Sequence, residues 1–308
     1  MLFQDRPLRL GTRGSPLALA QARMVQDALT ATHGWPAEAI EIVPVQTSGD
    51  RIQDRALAEI GGKALWTKEL DRALTSGQID FAVHSMKDVE TIRPDSIRIA
   101  AMLPRADVRD RLLGAETFDA LPAHPLVGTS SPRRAAQVKR LRPDATITLF
   151  RGNVATRLAK LAAGEVHATL LAAAGLDRLD QNGIGVAMPI GLMLPAPSQG
   201  AVGIEALADN AAVLRALAAI NDCDTFDCVM MERAVLKALG GTCHSPIAAL
   251  AVVDGDELFL RAEIISPDGS ETVREEARLA RGDSSGAQAV GSALLDRATS
   301  GLRALFEG

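Results

Sequence analysis

The sequence predicts a multidomain α/β protein, and three observations support that prediction. Segments of strand and helix character alternate through the first two-thirds of the 308 residues, which favours parallel sheets. The stretch GTRGSPLALAQ (11–21) returns in similar form as GTSSPRRAAQ (128–137), which indicates two related domains that begin alike. After about residue 220 a helical stretch is followed by strand-like runs, a pattern typical of a smaller α+β domain.

Each repeat is predicted to form a strand, a turn and a helix. Ser15 is a favoured N-cap residue and Pro16 suits the first helical position, and Ser131 and Pro132 take the same places in the second repeat. Both repeats, and the motif HSMKD at 84–88, follow predicted strands. The carboxyl ends of parallel strands are where α/β sheets bind ligands, so these loops are candidate sites.

The remaining elements follow from local patterns. A helix is predicted within IGGKALWTKELDRALTSG, and a strand–helix–strand–helix order in ATITLFRGNVATRLAKLAAGEVHATLLAAAGLDRL. The last third should contain a helix in DTFDCVMMERAVLKAL, turns at Asp254–Gly255 and Asp268–Gly269, and a final helix over about 286–305. Segments 102–107 and 194–200 are the predicted crossings between domains.

The composition argues against several classes of protein. A net charge of −5, no tyrosine and 3% aromatic residues do not suit a general nucleic-acid binder. No stretch has the length of a membrane span, and the beginning of the chain does not resemble an export signal. Three cysteines without framework spacing favour a reducing compartment, so we expect a cytoplasmic protein that binds neither nucleic acid nor membrane.

Local arginine clusters in an acidic chain indicate a small ligand with several negative charges. Arg133 and Arg134 lie in the first turn of a predicted helix, where cations oppose the helix dipole and a bound anion would remove the conflict. Arg151 and Arg157 repeat that arrangement at the next strand–helix junction. Carboxylates are the favoured anions because no phosphate-loop motif occurs. The alternative is that these arginines are solvated surface charges.

The motif HSMKD offers a carboxylate beside anion-binding groups. Asp88 could stabilise positive charge that forms on a substrate, while Ser85 and Lys87 bind anionic groups. A Ser/Lys hydrolase is less favoured because the spacing S-x-x-K is not met. A polar loop at a strand end, without a catalytic role, is the alternative.

Cys243 follows a helix stop and precedes a proline, which places it on a loop. It could bind zinc together with Cys223, Cys228 and His244, but the C-x4-C spacing is unlike that of known zinc sites. It could also be a hydrolytic nucleophile, or the point where a group is attached through a thioether. The residues alone leave these three roles open; we predict no metal.

Nine motifs in one order along the chain resemble those of a known family: LGTRGSPLALAQA, GGKALWTKEL, DFAVHSMKD, LPRADVRD, GTSSPRRAAQ, RGNVATRLAKL, AAAGLDRL, PAPSQGAVGIE and GTCHSPIAA. Together they resemble the porphobilinogen deaminase (hydroxymethylbilane synthase) family nearly from end to end.

This resemblance implies a fold of three domains. Two resemble the lobes of periplasmic binding proteins with a cleft between them, and the third is a smaller α+β domain that carries the cofactor. We expect the first domain at 1–103 and 200–220, the second at 104–199 and the third at 221–308. The same kinship supplies the alternative function, a two-lobed carboxylate-binding protein without catalysis.

The resemblance also implies a reaction. Four porphobilinogen molecules condense head to tail on a covalent dipyrromethane primer, each with loss of ammonia, and water then releases hydroxymethylbilane for tetrapyrrole and heme biosynthesis. By its match, Cys243 is the attachment point and Asp88 is the catalytic carboxylate. The resemblance further implies a monomer whose partner is the small-molecule substrate.

The other matching residues are expected to bind or support the ligand. Those that match binding positions for carboxylates are Arg13, Ser15, Lys87, Ser131, Arg133, Arg134, Arg151, Arg157 and Arg178. Those that match covering or supporting positions are Trp66, Ser85 and Gln199. Trp66 stands where a phenylalanine is expected, and the cysteine loop contains GGTC in place of GGC or GSC. We expect these two departures to alter local packing without loss of function, because an indole can still stack on a pyrrole.

Overall fold

A computed structural model of the chain describes residues 6–46, 67–240 and 245–306. The chain divides into two compact units. The described parts of the first are residues 6–46, 67–106 and 201–226, and those of the second are 107–200, 227–240 and 245–306. The chain therefore leaves the first unit after Ala106 and returns to it after Gly200, within the two segments predicted as crossings.

The helices and strands have the following bounds. The strands are β1 Leu8–Arg13, β2 Ile40–Val45, β3 Phe81–Ser85, β4 Ile97–Met102, β5 Asp110–Leu113, β6 Leu126–Gly128, β7 Thr146–Thr148, β8 Ala168–Ala172, β9 Val186–Ala187, β10 Val202–Leu207, β11 Ile247–Asp254, β12 Glu257–Ile265 and β13 Thr272–Ala280. The α-helices are α1 Pro16–His33, α2 Lys68–Thr75, α3 Pro132–Leu141, α4 Val154–Ala162, α5 Ala173–Asp177, α6 Ala211–Ala218, α7 Cys223–Ala238, α8 Ser284–Arg297 and α9 Ser300–Arg303. Short 3-10 helices span Ala37–Ala39 and Met86–Asp88.

Two five-stranded sheets share one topology, which fits the near-repeat in the sequence. The first sheet has the order β2-β1-β3-β10-β4, and the second has the order β7-β6-β8-β5-β9. In each, the first three strands are parallel and the fourth is antiparallel to both of its neighbours. The sheets are therefore mixed, and the prediction of parallel sheets is wrong at β5 and β10. Both of these strands begin just after the chain crosses from one unit to the other. No helix precedes them there to bring the chain back into a parallel direction.

The helix that opens each repeat begins as predicted. The Ser15 hydroxyl accepts a hydrogen bond from the Ala18 amide at 3.3 Å, and the Ser131 hydroxyl accepts one from the Arg134 amide at 3.4 Å. A proline stands at the start of both helices. A backbone N–H at this position would have no acceptor within the helix, so the lack of one in proline breaks no hydrogen bond.

Each unit contains its own hydrophobic core. In the first, the fully buried Leu10, Phe81 and Ile204 of the sheet pack against Val25 and Leu29 of α1. Burial of side chains of this size contributes about 1.5–3 kcal/mol each, before the entropy cost of ordering them. This core fixes β1 and β3 side by side, and their carboxyl ends form the edge of the sheet described below.

The second unit also contains a separate antiparallel sheet, β11-β12-β13, which packs against α7 and α8. The turn after β11 places Gly255 at φ +65°, and the turn after β12 places Gly269 at φ +74°, as the Asp-Gly pairs predict. The predicted final helix is wrong in extent. It ends at Arg297, and the Thr299 hydroxyl caps a further short helix by accepting from the Leu302 amide at 3.3 Å.

Among the described residues, no helix is long and apolar enough to cross a membrane.

Candidate active site

A small pocket lies at the carboxyl ends of β1 and β3 in the first unit. The two strands are parallel and adjacent, so their last residues, Arg13 and Ser85, reach the same edge of the sheet. These two side chains line a cavity of about 50 Å³ together with Ser15 and Asp88. Four residues singled out in the sequence are thereby brought to one place.

Asp88 closes a single 3-10 turn directly after β3. The turn is held by its backbone, because the Met86 amide donates to the Ala201 carbonyl at 3.1 Å and the Val89 amide donates to the Met86 carbonyl at 3.2 Å. The Asp88 side chain is half-buried, and no hydrogen bond or ion pair to its carboxylate occurs within the described ranges. The carboxylate is thus available to a ligand. Lys87 is half-buried in the same turn.

The pocket combines groups of both signs. Arg13 and the N-terminus of the 18-residue helix α1 attract anions, because the first N–H groups of a helix carry partial positive charge. Asp88 attracts cations and N–H donors. Ser85 is fixed beside them, since its hydroxyl donates to Gln21 Oε1 at 3.1 Å and accepts from Gln21 Nε2 at 2.8 Å. The site suits a ligand that carries both carboxylates and N–H groups.

Arg133 and Arg134 form a cluster of ion pairs with a carboxylate of the chain. Both are buried in the second unit, where Arg133 Nη1 lies 2.8 Å from Asp110 Oδ2 and Arg134 Nη2 lies 2.7 Å from Asp110 Oδ1. Burial by itself raises the pKa of Asp110, but the two guanidiniums outweigh it and hold that pKa well below its usual range. The anion that the helix start attracts is therefore a carboxylate of the chain itself. That the two arginines also bind a ligand stays a prediction.

Arg178 provides a half-buried cation of another kind. Its Nη2 donates to the Gly200 carbonyl at 2.6 Å, and its buried Nε has no hydrogen-bond partner among the described residues. Burial lowers the pKa of Arg178 to about 10, although the nearby Asp177 acts to raise it. Asp177 itself pairs with Arg111 at 2.9 Å. Among the described residues this half-buried guanidinium has no ion-pair partner, so Arg178 fits an anionic ligand.

The other predicted residues of the second unit lie near strand ends. Arg157 is in the first turns of α4, with its Nε donating to the Gly152 carbonyl at 3.0 Å, and Arg151 is half-buried shortly before that helix. Ser131 caps α3. Gln199 is buried and donates through Nε2 to Asp110 Oδ1 at 2.9 Å, which links it to the arginine pair.

Two predicted residues, Trp66 and Cys243, lie outside the described residues. The roles assigned to them stay predictions.

Buried carboxylates are the groups that the sequence analysis missed. Asp110, Glu205, Glu232 and Glu263 are at most 1% exposed, and each binds donors from distant parts of the chain. A signal was present for Glu205, which is a lone charge within the apolar strand VGIEAL. A charge in such a run indicates a buried group with a specific partner.

Taken together, the two repeated α/β sheets and the pocket with charged groups of both signs define an α/β protein with a candidate site for a ligand that carries both carboxylates and N–H groups. Family models identify it further. Residues 8–215 match "Porphobilinogen deaminase, dipyromethane cofactor binding domain", and residues 226–299 match "Porphobilinogen deaminase, C-terminal domain". The chain belongs to the porphobilinogen deaminase family.

Two curated relatives agree with the family models. The chain is 56% identical to the porphobilinogen deaminase of Sphingopyxis alaskensis over 308 residues, which cover 98% of this chain and 97% of that protein. It is 50% identical to the porphobilinogen deaminase of Paracoccus denitrificans over 276 residues, which cover 88% of each. The resemblance found in the sequence motifs is thus confirmed.

Among solved structures, the chain is similar to two periplasmic proteins. One is a Salmonella typhimurium periplasmic binding protein with high arginine specificity, at 13% identity and a TM-score of 0.41, covering 70% of this chain and 92% of that one. The other is the VFT2 domain of Bordetella pertussis BvgS, at 14% identity and a TM-score of 0.41, covering 70% and 85%. At these scores neither likeness bears on the function.

Proposed function

We propose that the chain is a porphobilinogen deaminase, which condenses four porphobilinogen molecules into hydroxymethylbilane with loss of ammonia at each addition. The observation that supports the proposal most directly is the Asp88 carboxylate, half-buried and without a partner among the described residues, in a pocket with Arg13 and the start of α1. Porphobilinogen is a pyrrole with one N–H donor, two carboxylates and an aminomethyl group, so its chemistry suits a pocket of both signs.

The residues also suit the dipyrromethane cofactor that the matched family domain is named for. A dipyrromethane has two N–H donors and four carboxylates, and the pocket in the first unit offers groups that complement both, Asp88 for N–H donors and Arg13 for carboxylates. When bound, the cofactor supplies the nucleophilic pyrrole carbon from which the product grows. We propose Cys243 as its attachment point, since a thiolate forms a stable thioether with a carbon electrophile.

Asp88 is the proposed catalytic residue. The substrate's aminomethyl group is protonated, and when its C–N bond breaks the electron pair stays on nitrogen, which leaves as ammonia. Positive charge therefore spreads into the pyrrole ring and its N–H group. A carboxylate that accepts a hydrogen bond from this N–H becomes a better partner as the charge develops, and it therefore stabilises the transition state more than the ground state. Its freedom from ion pairs among the described residues leaves its full charge for this role.

The cations hold the substrate's carboxylates. Arg13 lies in the same pocket as Asp88, so it can fix one carboxylate while the ring N–H faces Asp88. In the second unit, Arg178 is proposed as a carboxylate-binding residue because its buried Nε has no hydrogen-bond partner among the described residues. Lys87, Ser131, Arg151 and Arg157 are proposed as further contacts, with Trp66 as a cover. Arg133 and Arg134 are also proposed to bind a ligand carboxylate, which they would share with Asp110.

Substitution of Asp88 tests this assignment. Asp88→Asn keeps the shape and removes the charge, so we expect kcat to fall by about 10²–10³-fold while KM changes much less. Asp88→Glu should retain more activity, and Asp95→Asn, an exposed carboxylate seven residues further on, is the matched control with unchanged kcat. Near-normal kcat in Asp88→Asn, measured on protein that carries the cofactor, would overturn the role.

We infer further that the protein is a cytoplasmic monomer with three domains, the third being residues 221–308. The composition and the family resemblance support this inference. Light scattering on purified protein would reveal a larger assembly if the monomer prediction is wrong.

A further inference from the structure

Glu205 is a charged residue in the middle of an apolar strand. It lies in β10, its side chain is fully buried, and it faces donors from two other parts of the first unit. Arg93 Nε donates to Oε1 at 2.8 Å, Arg93 Nη2 donates to Oε2 at 2.9 Å, and His84 Nε2 lies 3.1 Å from Oε2. Removing a carboxylate from water is costly, so a buried one is stable only when partners such as these compensate its charge.

The two partners of Glu205 flank the segment that carries Asp88. His84 precedes it in β3, and Arg93 follows it after five residues. One carboxylate therefore joins both ends of the segment 84–93 to the central sheet. The backbone supports the same arrangement, because β10 pairs with β3 and places Gly203 opposite His84.

Arg93 is itself held by several groups. Its Nη1 donates to Glu90 at 2.7 Å and to Thr67 at 3.3 Å, and its Nη2 donates to Asp71 at 2.5 Å. Burial by itself lowers the pKa of Arg93, but the surrounding carboxylates outweigh it and the pKa is raised. Burial alone also raises the pKa of Glu205, yet His84 and Arg93 bring it down to about 2. Both partners of the bidentate pair are therefore charged at neutral pH.

By contrast, no hydrogen bond or ion pair among the described residues holds the Asp88 carboxylate in place. Its position must come from the backbone of its segment, and that segment is anchored at its two ends. We propose that Glu205 is a positioning residue, which holds the Asp88 segment at the pocket through His84 on one side and Arg93 on the other. The inference rests on the proposed function of Asp88.

Kinetics of three variants test the inference, with kcat expressed per cofactor-loaded molecule. Arg93→Met breaks the bidentate pair and should lower kcat by about tenfold to a hundredfold, because misplacement of a reacting group by about 1 Å has costs of that size. KM should change by less than about threefold, since the ligand-binding arginines are untouched. Arg93→Lys keeps the charge but not the planar fork, and should recover part of the loss. Glu205→Gln should resemble Arg93→Met.

Asp80→Asn is the matched control. Asp80 lies just before β3, at the other end of that strand, and pairs with Arg6 through two hydrogen bonds of 2.7 Å. Loss of this pair should leave kcat unchanged. If Glu205→Gln fails to fold, the two Arg93 variants still decide the question.

Hydrogen exchange gives a second readout that does not depend on turnover. Amides of segment 85–93 should exchange faster in Arg93→Met than in the wild type, while those of α1 remain as protected as before. Wild-type kcat in Arg93→Met, or equal losses in Arg93→Met and Asp80→Asn, would overturn the positioning role. A wild type without activity on porphobilinogen would instead refute the proposed function itself.

Discussion

Replacing Asp110 with asparagine removes the carboxylate that two buried guanidiniums share. Arg133 and Arg134 are 2% and 6% exposed, and both lie within 2.8 Å of an Asp110 oxygen. An asparagine keeps one acceptor but turns its N–H₂ group towards a guanidinium, where two donors face each other. Breaking a buried ion pair costs about 3–5 kcal/mol, so we expect a loss near 4 kcal/mol. Against a total stability of about 5–15 kcal/mol, this is a large fraction.

The assay is thermal unfolding of wild type and variant at pH 7, followed by circular dichroism. For a unit of this size each kcal/mol shifts Tm by about 2–4 °C, so Asp110→Asn should lower Tm by about 8–16 °C. The matched control is Asp107→Asn, because Asp107 is paired with the half-exposed Arg109 at 2.7 Å. Such pairs are screened by solvent and contribute about 0–1 kcal/mol. A Tm of Asp110→Asn within about 2 °C of wild type, or equal shifts in both variants, would refute the reasoning.

Two other predictions concern the sheet beneath Asp88. A Cβ at Gly203 would lie 2.0 Å from Met86 Sδ and 2.6 Å from its Cγ, so Gly203→Ala should cost about 1–3 kcal/mol in urea unfolding. Gly183→Ala, with nothing within 4 Å of the added Cβ, is the control, and equal losses would contradict the packing argument. The pKa of Glu205 is lowered from its ordinary 4.5 to about 2. The ionised carboxylate therefore stabilises the folded protein at every pH above about 4.5, and this stabilisation is lost as the pH falls from 4.5 towards 2. The free energy of unfolding should fall by about 3 kcal/mol over this pH interval in the wild type. In Glu205→Gln the plot of unfolding free energy against pH should be flatter there, whereas parallel plots for the two proteins would contradict the assignment.

The local elements were predictable because each depends on neighbours in sequence. Ser15 and Ser131 cap their helices, and Gly255 and Gly269 adopt positive φ, as short-range patterns require. The paired domain architecture also followed from the near-repeat. These features need no knowledge of which distant residues meet.

The direction of β5 and β10 was not predictable in this way. It depends on the chain passing between units and returning, which no local pattern encodes. The break near Thr299 in the last helix had a usable signal, since Thr299 is a favoured N-cap residue followed by Ser300 and Gly301.

In the candidate site too, groups that are neighbours in sequence were predictable and partners that are distant in sequence were not. The motif around Asp88 was found because its residues are consecutive and follow a strand. A ligand anion beside Arg133 and Arg134 stays a prediction, but the sequence analysis missed their partner within the chain, Asp110, which lies more than 20 residues earlier. Sequence spacing gives no distance between these groups, so the internal partner could not be recognised.

The central claim is that the chain builds its product on a dipyrromethane bound to Cys243. The most direct measurement is the intact mass of the denatured protein for wild type, Cys243→Ala and Cys223→Ala, the last being a control for an exposed thiol elsewhere. Wild type and Cys223→Ala should exceed the sequence mass by two linked pyrrole units, and Cys243→Ala should not. An excess retained in Cys243→Ala, or none in wild type even after incubation with porphobilinogen, would contradict the account.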